Sequence, residues 1–464
     1  MKNTRRAFLA TASAVTAGIV APRPLWAEPN PEGSPRVMLG PMVGAVTQGS
    51  VPIWVQLSGD YFDALLEYTA DPVGGAWQRT PPRRARAEDN YTLVIPMEGL
   101  QPDTTYHYRV IVNGKQDKYL RDRPPQRVRT APAMPARFRV AFGSCARVQS
   151  EPEQPIWQAI AQYQPDLFFW LGDNIYGDSV TPATLVAEYQ RQRFVPSFQP
   201  IGRNVPQLAI WDDHDYGLDN FDRTNPIRRQ SLEIFRQFWA NPGSGLPDTP
   251  GVFFDYSFGG VDFFFLDGRY HRAPDADEDT PEKEFLGPGQ FEWLKRRLLA
   301  SRAPFKVLAC GSGWSRFKGP GGDSWAAYQH ERARLFDFIR DNAISGVVLL
   351  SGDTHFPYVA CAPWSEQGGY DLYDLVSSAL AQVIAESPDG IEERIANMLP
   401  DRMIRSPLLG INNAGIIDFD MTAQTPTLSF NVIDMRGRVL YDPVVLRADE
   451  LMNGVSSWRG KVDR

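Results

Sequence analysis

Six short apolar runs, residues 138–142, 167–171, 208–211, 263–266, 307–310 and 347–350, each give way at once to a polar cluster. Their lengths and their β-branched or aromatic content suit strands buried on both faces, as in a parallel sheet covered by helices. Helical stretches fall between them: 226–239 behind an Asn225 cap, 288–300 opening on Pro288, and 325–340 with Leu335, Phe336, Phe338 and Ile339 as its apolar positions. Strands alternating with helices specify an α/β domain. Ligands of such domains sit at the carboxyl ends of the strands, where the polar clusters lie. The runs are therefore expected to bring the clusters to one edge of one sheet.

The clusters are Gly143-Ser144-Cys145; Gly172-Asp173-Asn174, with Tyr176 and Asp178 just beyond; Asp212-Asp213-His214-Asp215; Asp267-Gly268-Arg269; Gly311-Ser312-Gly313; and Gly352-Asp353-Thr354-His355. So many carboxylates in one place repel one another unless positive charge neutralises them. Metal ions do this, and carboxylates and imidazoles on adjacent strand ends can hold two cations about 3.5 to 4 Å apart. A tyrosinate and a thiolate suit a trivalent or softer ion, whereas an oxygen-only neighbourhood suits calcium, manganese or magnesium. His214 can protonate a leaving alkoxide; its other reading is a core histidine held by Asp215. Arg269 can grip phosphate with its planar fork or pair with an acid such as Asp267. Cys310 and Cys361 read as buried small hydrophobes, His107 and His330 as surface or packing residues. The acidic loop 275–284 reads as solvated, because it lacks the glycine and ligand spacing of a calcium loop.

Residues 35–130 are patterned as strand and turn. Stretches 51–57 and 104–112 alternate with period two, Asn113-Gly114 supplies a hairpin turn, and no helical pattern intervenes. This predicts a β-sandwich of about a hundred residues, with 130–136 as a linker. Strands return at 415–419 and 427–433, and 449–464 is a closing helix or a loose tail. At the start, Arg5-Arg6 precede an uncharged stretch, 7–22, too short to span a bilayer. Residues 1–27 read as a twin-arginine export signal ending at Leu25-Trp26-Ala27, and no other run approaches a transmembrane length. The three cysteines are odd in number and widely spaced, so they form no disulfide framework. At 43% hydrophobic and 22% charged, the chain can bury a large core. A net charge of -7 and a pI of about 5.4 argue against a partner made of nucleic acid phosphates or anionic lipid.

Gly172-Asp173-x-x-Tyr176 resembles the GDxxY block of metallophosphoesterases related to purple acid phosphatases. Asp213-His214-Asp215 stands where those enzymes have Asn-His-Asp or Asn-His-Glu, and Gly352-Asp353-Thr354-His355 where they have Gly-His-x-His. With Gly143-Ser144-Cys145 in place of the usual first Asp motif, and Trp211-Asp212-Asp213-His214-Asp215, the chain resembles the alkaline phosphatase D (PhoD-like) family. That family combines a twin-arginine signal, an N-terminal β domain and a metallophosphoesterase domain, so the resemblance spans nearly the whole chain. It implies a calcineurin-like metallophosphoesterase β-sandwich flanked by helices over 137–448, behind an all-β, fibronectin III-like domain over 35–130.

Carried over by position, the resemblance implies that Asp173 bridges two metals while Cys145, Tyr176 and His355 complete a ferric site. Asp213 and Asp353 serve a second position, for one or two calcium ions or another divalent metal. The Asp212-Asp213 pair leaves open which carboxylate ligates, and 311–315 lacks the extra His that other metallophosphoesterases supply there. His214 becomes the general acid or a transition-state stabiliser, with Asn174 meeting substrate alongside Arg269, whose place after a strand suits a phosphate contact. The expected protein is a periplasmic or secreted phosphoric ester hydrolase, exported by the twin-arginine machinery, in which a metal-bound hydroxide attacks a small phosphate ester. A phosphodiesterase or phospholipase D-like activity is the alternative. An extracytoplasmic binding protein with structural metals is a third reading; the non-ligating His214 counts against it, since a structural site closes its shell.

Overall fold

The computed structural model describes residues 36–59, 62–121, 124–383 and 388–462; the export signal read in 1–27 lies outside the described residues. The strand Leu167–Leu171 shows why the apolar runs are buried on both faces. Phe169 meets Phe263 and Phe265, with ring centroids 5.0 and 4.9 Å away. Its neighbours Phe168 and Trp170 point the other way and pack on Trp157 of the helix Ile156–Gln162, at 5.1 and 4.9 Å. Period two thus sends one set of rings to a facing sheet and the other to a covering helix.

The six runs divide between two sheets, which corrects the expectation of one. Arg137–Gly143, Leu167–Leu171 and Gln207–Ile210 are parallel neighbours in a six-stranded sheet completed by the antiparallel strands Asn413–Asp420, Thr427–Asp434 and Val444–Arg447. Val261–Phe265, Phe305–Ala309, Val347–Ser351 and Asp371–Val376 run parallel inside a seven-stranded sheet, edged by Phe254–Phe258 on one side and by Tyr358–Pro363 and Arg402–Arg405 on the other. The break comes at Gly259-Gly260, both at positive φ. This tight turn pairs Phe254–Phe258 with Val261–Phe265 as a hairpin, starting a new sheet instead of extending the old one. The architecture is a mixed α/β fold of two facing sheets with helices outside them.

Strand ends of both sheets converge at one end of this sandwich. Gly172 has φ +88°, and a Cβ there would lie 2.5 Å from that of Asp212; a Cβ on Gly352 would lie 2.5 Å from Ser144 Oγ, on the opposite sheet. Only glycine allows either approach. Helix Pro288–Ala300 falls where expected, 226–239 becomes Arg228–Phe238, and 325–340 becomes a 3₁₀ turn, Trp325–Ala327, followed by Gln329–Asp341. The loop 275–284 is closed by the protein's own cations: Arg272 pairs with Asp275, and Lys283 Nζ donates to the Asp275 and Asp277 carbonyls. Over 449–462 the C-terminal stretch is neither a long helix nor loose, because the Ser457 and Trp458 amides donate to Asp371 at 2.6 and 2.9 Å.

Upstream lie two antiparallel sheets, one of Val37–Val43, Ser50–Leu57 and Thr92–Glu98, the other built on Asp63–Thr69 and Thr105–Val112. Asn113-Gly114 makes the expected hairpin to Lys115–Gln116. Trp54 Nε1 donates to the Gln237 carbonyl and the Tyr108 hydroxyl to the Arg203 carbonyl, each at 2.7 Å, joining these sheets to the larger sandwich.

Candidate metal centre

The candidate ligands sit within a few residues of strand ends, Asp213 opening the short helix Asp213–Tyr216. Cys145, Asp173, Asp353 and His355 all have positive φ, between 50° and 69°. Non-glycine residues adopt this conformation at a cost, and such residues cluster at functional sites. The Cys145 loop is fixed by backbone hydrogen bonds from Ala146 to Asp173, Leu380 to Ser144 and Ala381 to Cys145, at 3.0, 2.8 and 3.0 Å.

The structure brings these side chains together in three groups, each with ligand atoms within 4.8 Å of one another: Cys145, Asp173 and His355; Asp173, Asp213 and His214; and Asp212, Asp213 and Asp323. Tyr176 joins the first, its hydroxyl 3.2 Å from His355 Nε2 and 3.5 Å from Asp173 Oδ2. Cys145 Sγ lies 3.3 Å from the same Asp173 oxygen. Asp173 is common to the first two groups. Asp353 falls in none of the three, and its carboxylate pairs with the ammonium of Lys318.

Electrostatics show what this cluster lacks. Burial, then the Cys145 and aspartate charges nearby, push the Asp173 carboxyl well above the usual range, and its Oδ1 is buried without a partner. Burial likewise pushes the Cys145 thiol up to about 11, with hydrogen bonds from Ser144 and Ser378 acting against it, and raises the Tyr176 phenol. A bound cation offsets all three costs at once. The donors present therefore fit a metal: thiol, phenol, imidazole and carboxylate on one side of Asp173, carboxylates with the His214 imidazole beside them on the other.

His214 stacks on Tyr176 with centroids 4.1 Å apart, and its Nδ1 is hydrogen-bonded to Asp178, not to Asp215. Burial alone lowers its pKa, but Asp173, Asp178 and Asp213 outweigh burial and push it up to about 11. His355 goes the other way: burial and the charges of Lys318 and His214 hold it down to about 4. The two adjacent aspartates have different surroundings. Asp213 Oδ2 accepts the Asn220 amide at 2.7 Å, and the side chain belongs to two of the groups; Asp212 belongs to one and is paired with Arg269, which also reaches Asp213 at 3.7 Å, and its Oδ2 is buried without a hydrogen-bond partner.

Two expected substrate contacts do not face outward. Arg269 is fully buried, tied to Asp212 and forked onto Asp323 at 2.7 and 2.9 Å. Asp267, its other expected partner, instead accepts the Trp211 indole and the backbone amides of Val252, Arg269 and Tyr270. Asn174 is also buried, its amide donating to the Ile210 carbonyl at 2.8 Å. Sequence reasoning missed Asp323, Lys318, Arg272 and Ser378. Ser378 follows the strand Asp371–Val376, so the rule of a polar residue just past a strand would have found it, had the two aspartates in that strand not disguised it. Lys318 and Asp323 sit in a glycine-rich loop with no such signal.

Alkaline phosphatase D of Bacillus subtilis (strain 168) is 25% identical over 382 residues, 68% of this chain and 64% of the relative, so the chain spans a little under two thirds of that protein. Among solved structures, one titled as the structure of PhoD superposes with a TM-score of 0.67 at 19% identity, over 86% of this chain and 91% of the other. A purple acid phosphatase, PPD1, from yellow lupin (Lupinus luteus) seeds gives 0.62 at 12% identity, over 90% and 74%. These two matches show a shared fold. The family model of PhoD-like phosphatase matches residues 140–430, most of the chain and all of the centre's candidate ligands, and the chain belongs to that family.

Proposed function

We propose that this chain is a metal-dependent phosphoric ester hydrolase of the alkaline phosphatase D type, acting on small phosphate esters. The observation that carries the reading is Asp173, whose carboxylate is shared by two ligand groups and keeps a buried oxygen without a protein partner. A carboxylate shared between two cations is the arrangement of two-metal hydrolases. Cys145, Asp173, Tyr176 and His355 would hold a ferric ion, and Asp173, Asp213 and Asp353 would hold calcium. When bound, such cations polarise phosphoryl oxygens and make water acidic near neutral pH.

His214 supplies the proton for the leaving oxygen. Its Nδ1 is committed to Asp178, its side chain is 14% exposed, and Nε2 lies 3.8 Å from Asp219, too far for a hydrogen bond. Nε2 is thus the nitrogen free to donate. Residues 1–27 are read as a twin-arginine signal that delivers the protein to the periplasm or the exterior. The unit over 35–130 is read as fibronectin III-like, 137–448 as the catalytic unit and 449–464 as a C-terminal tail. Among the described residues, no helix is long and apolar enough to cross a membrane.

Asp173→Asn tests the reading. Hydrolysis of p-nitrophenyl phosphate is expected to fall by more than about 100-fold, with metal content falling alongside. Full activity with unchanged metal overturns it. Thiolate or phenolate on ferric iron also gives a visible charge-transfer band; a colourless, iron-free and fully active enzyme overturns the iron assignment alone.

A further inference from the structure

Among the described residues, four cationic side chains near the candidate centre have carboxylate partners. Arg269 is held by Asp212 and Asp323, Arg272 by Asp275 and Asp323, Lys318 by Asp353, and His214 by Asp178. Arg147 lies two residues past Cys145, and its guanidinium carbon is 5.0 Å from the centre of the Tyr176 ring. No carboxylate pairs with it among the described residues, and its Nε is buried without a hydrogen-bond partner. An arginine stacked on an aromatic face keeps its planar fork open for a bidentate anion. Left without an acid, beside a ring that touches both Asp173 and His355, it is an anion-binding group with no anion of the protein's own.

We propose that Arg147, not Arg269, binds the terminal oxygens of the substrate's phosphoryl group and favours monoesters over diesters. The inference rests on the phosphoric ester hydrolase reading and adds a substrate class to it. A monoester spreads two charges over three terminal oxygens, a diester one charge over two, so an extra guanidinium rewards the monoester dianion. The same fork recognises inorganic phosphate, the product of monoester hydrolysis.

The test compares metal-loaded wild type, Arg147→Ala and Arg147→Lys on p-nitrophenyl phosphate and bis(p-nitrophenyl) phosphate, with inorganic phosphate as a competitive inhibitor. Losing a hydrogen bond to a charged group lowers kcat/KM for the monoester by roughly 10- to 100-fold in Arg147→Ala. The diester rate changes by less than about threefold, the phosphate Ki rises by the monoester factor, and lysine restores part of both. Equal losses on the two esters overturn the proposal, since a disturbed Tyr176 or lost metal would act on both alike. An unchanged phosphate Ki overturns it too. Failure of wild type to hydrolyse either ester counts against the hydrolase reading instead; phosphate binding measured calorimetrically in wild type and Arg147→Ala then decides the role of Arg147 by itself.

Discussion

Asp215 adjoins His214 in sequence yet accepts the amides of Asn174 and Asp212 and the hydroxyl of Tyr189, at 3.0, 3.2 and 3.0 Å, so the imidazole is held from elsewhere, by Asp178. A carboxylate on Nδ1 fixes both the tautomer and the direction of Nε2. Asp178→Asn keeps the size of the side chain and removes its charge. It is expected to lower kcat by roughly 10- to 100-fold with KM nearly unchanged; steady-state kinetics showing an unaltered kcat would sink the assignment. At this scale the sequence was legible wherever chemistry is local. Asp173 and Tyr176 share one motif, and the structure brings them together with Cys145 and His355 from other strand ends. It was illegible wherever a partner comes from far along the chain. Arg269 meets Asp323, 54 positions on, and nothing near Arg269 announces that its fork is already occupied.

Strands were the most readable elements, because burial on both faces leaves an unbroken apolar run that few other elements produce. Their grouping into two sheets was not, since it turns on one hairpin at Gly259-Gly260. Helices were readable, but what they hold in place was not. Glu331, on the helix Gln329–Asp341, is buried and accepts the backbone amides of Phe285 and Leu286 at 2.8 and 3.1 Å, anchoring the approach to the helix Pro288–Ala300. Burial, against those amides and Arg334, pushes its carboxyl from its ordinary 4.5 up to about 7. A raised native pKa means that the folded state holds a proton the unfolded state has released. The stabilisation is therefore complete below about pH 4.5 and is lost as pH rises through about 7. Glu331→Gln cannot titrate and sets an NH₂ group against one amide, costing about 1–3 kcal/mol. The stability of wild type relative to the variant, from urea titrations, should decline by on the order of 3 kcal/mol between those two pH values. A difference that is flat or grows with pH would refute the linkage.

Chain length suggests about three domains, and composition breaks into a β-rich part and an α/β part; the structure shows how closely these are joined. The apolar residues of both parts form one continuous core. Trp54, from the N-terminal sheets, joins Trp170 and Trp239 around the buried guanidinium of Arg193, at 5.9, 5.8 and 3.9 Å. Gly44 lies so near Ala240 that a Cβ would come within 2.4 Å of it. A buried arginine whose Nε and Nη1 lack hydrogen bonds depends on those rings, because a charge taken from water must recover its solvation from aromatic faces or acids. Interfaces between independent domains are more polar and smaller than a shared core, so the two parts should unfold as a unit. Trp54→Ala removes an indole from that core, deletes its hydrogen bond to Gln237 and strips one ring from Arg193, which together cost about 3–5 kcal/mol. Urea unfolding followed by far-ultraviolet circular dichroism and by tryptophan fluorescence should give one coincident transition for wild type and one for the variant, the latter at lower urea. Two separated transitions in wild type, or a Trp54→Ala midpoint that does not move, would show that the N-terminal sheets fold apart from the larger sandwich and lend it no stability.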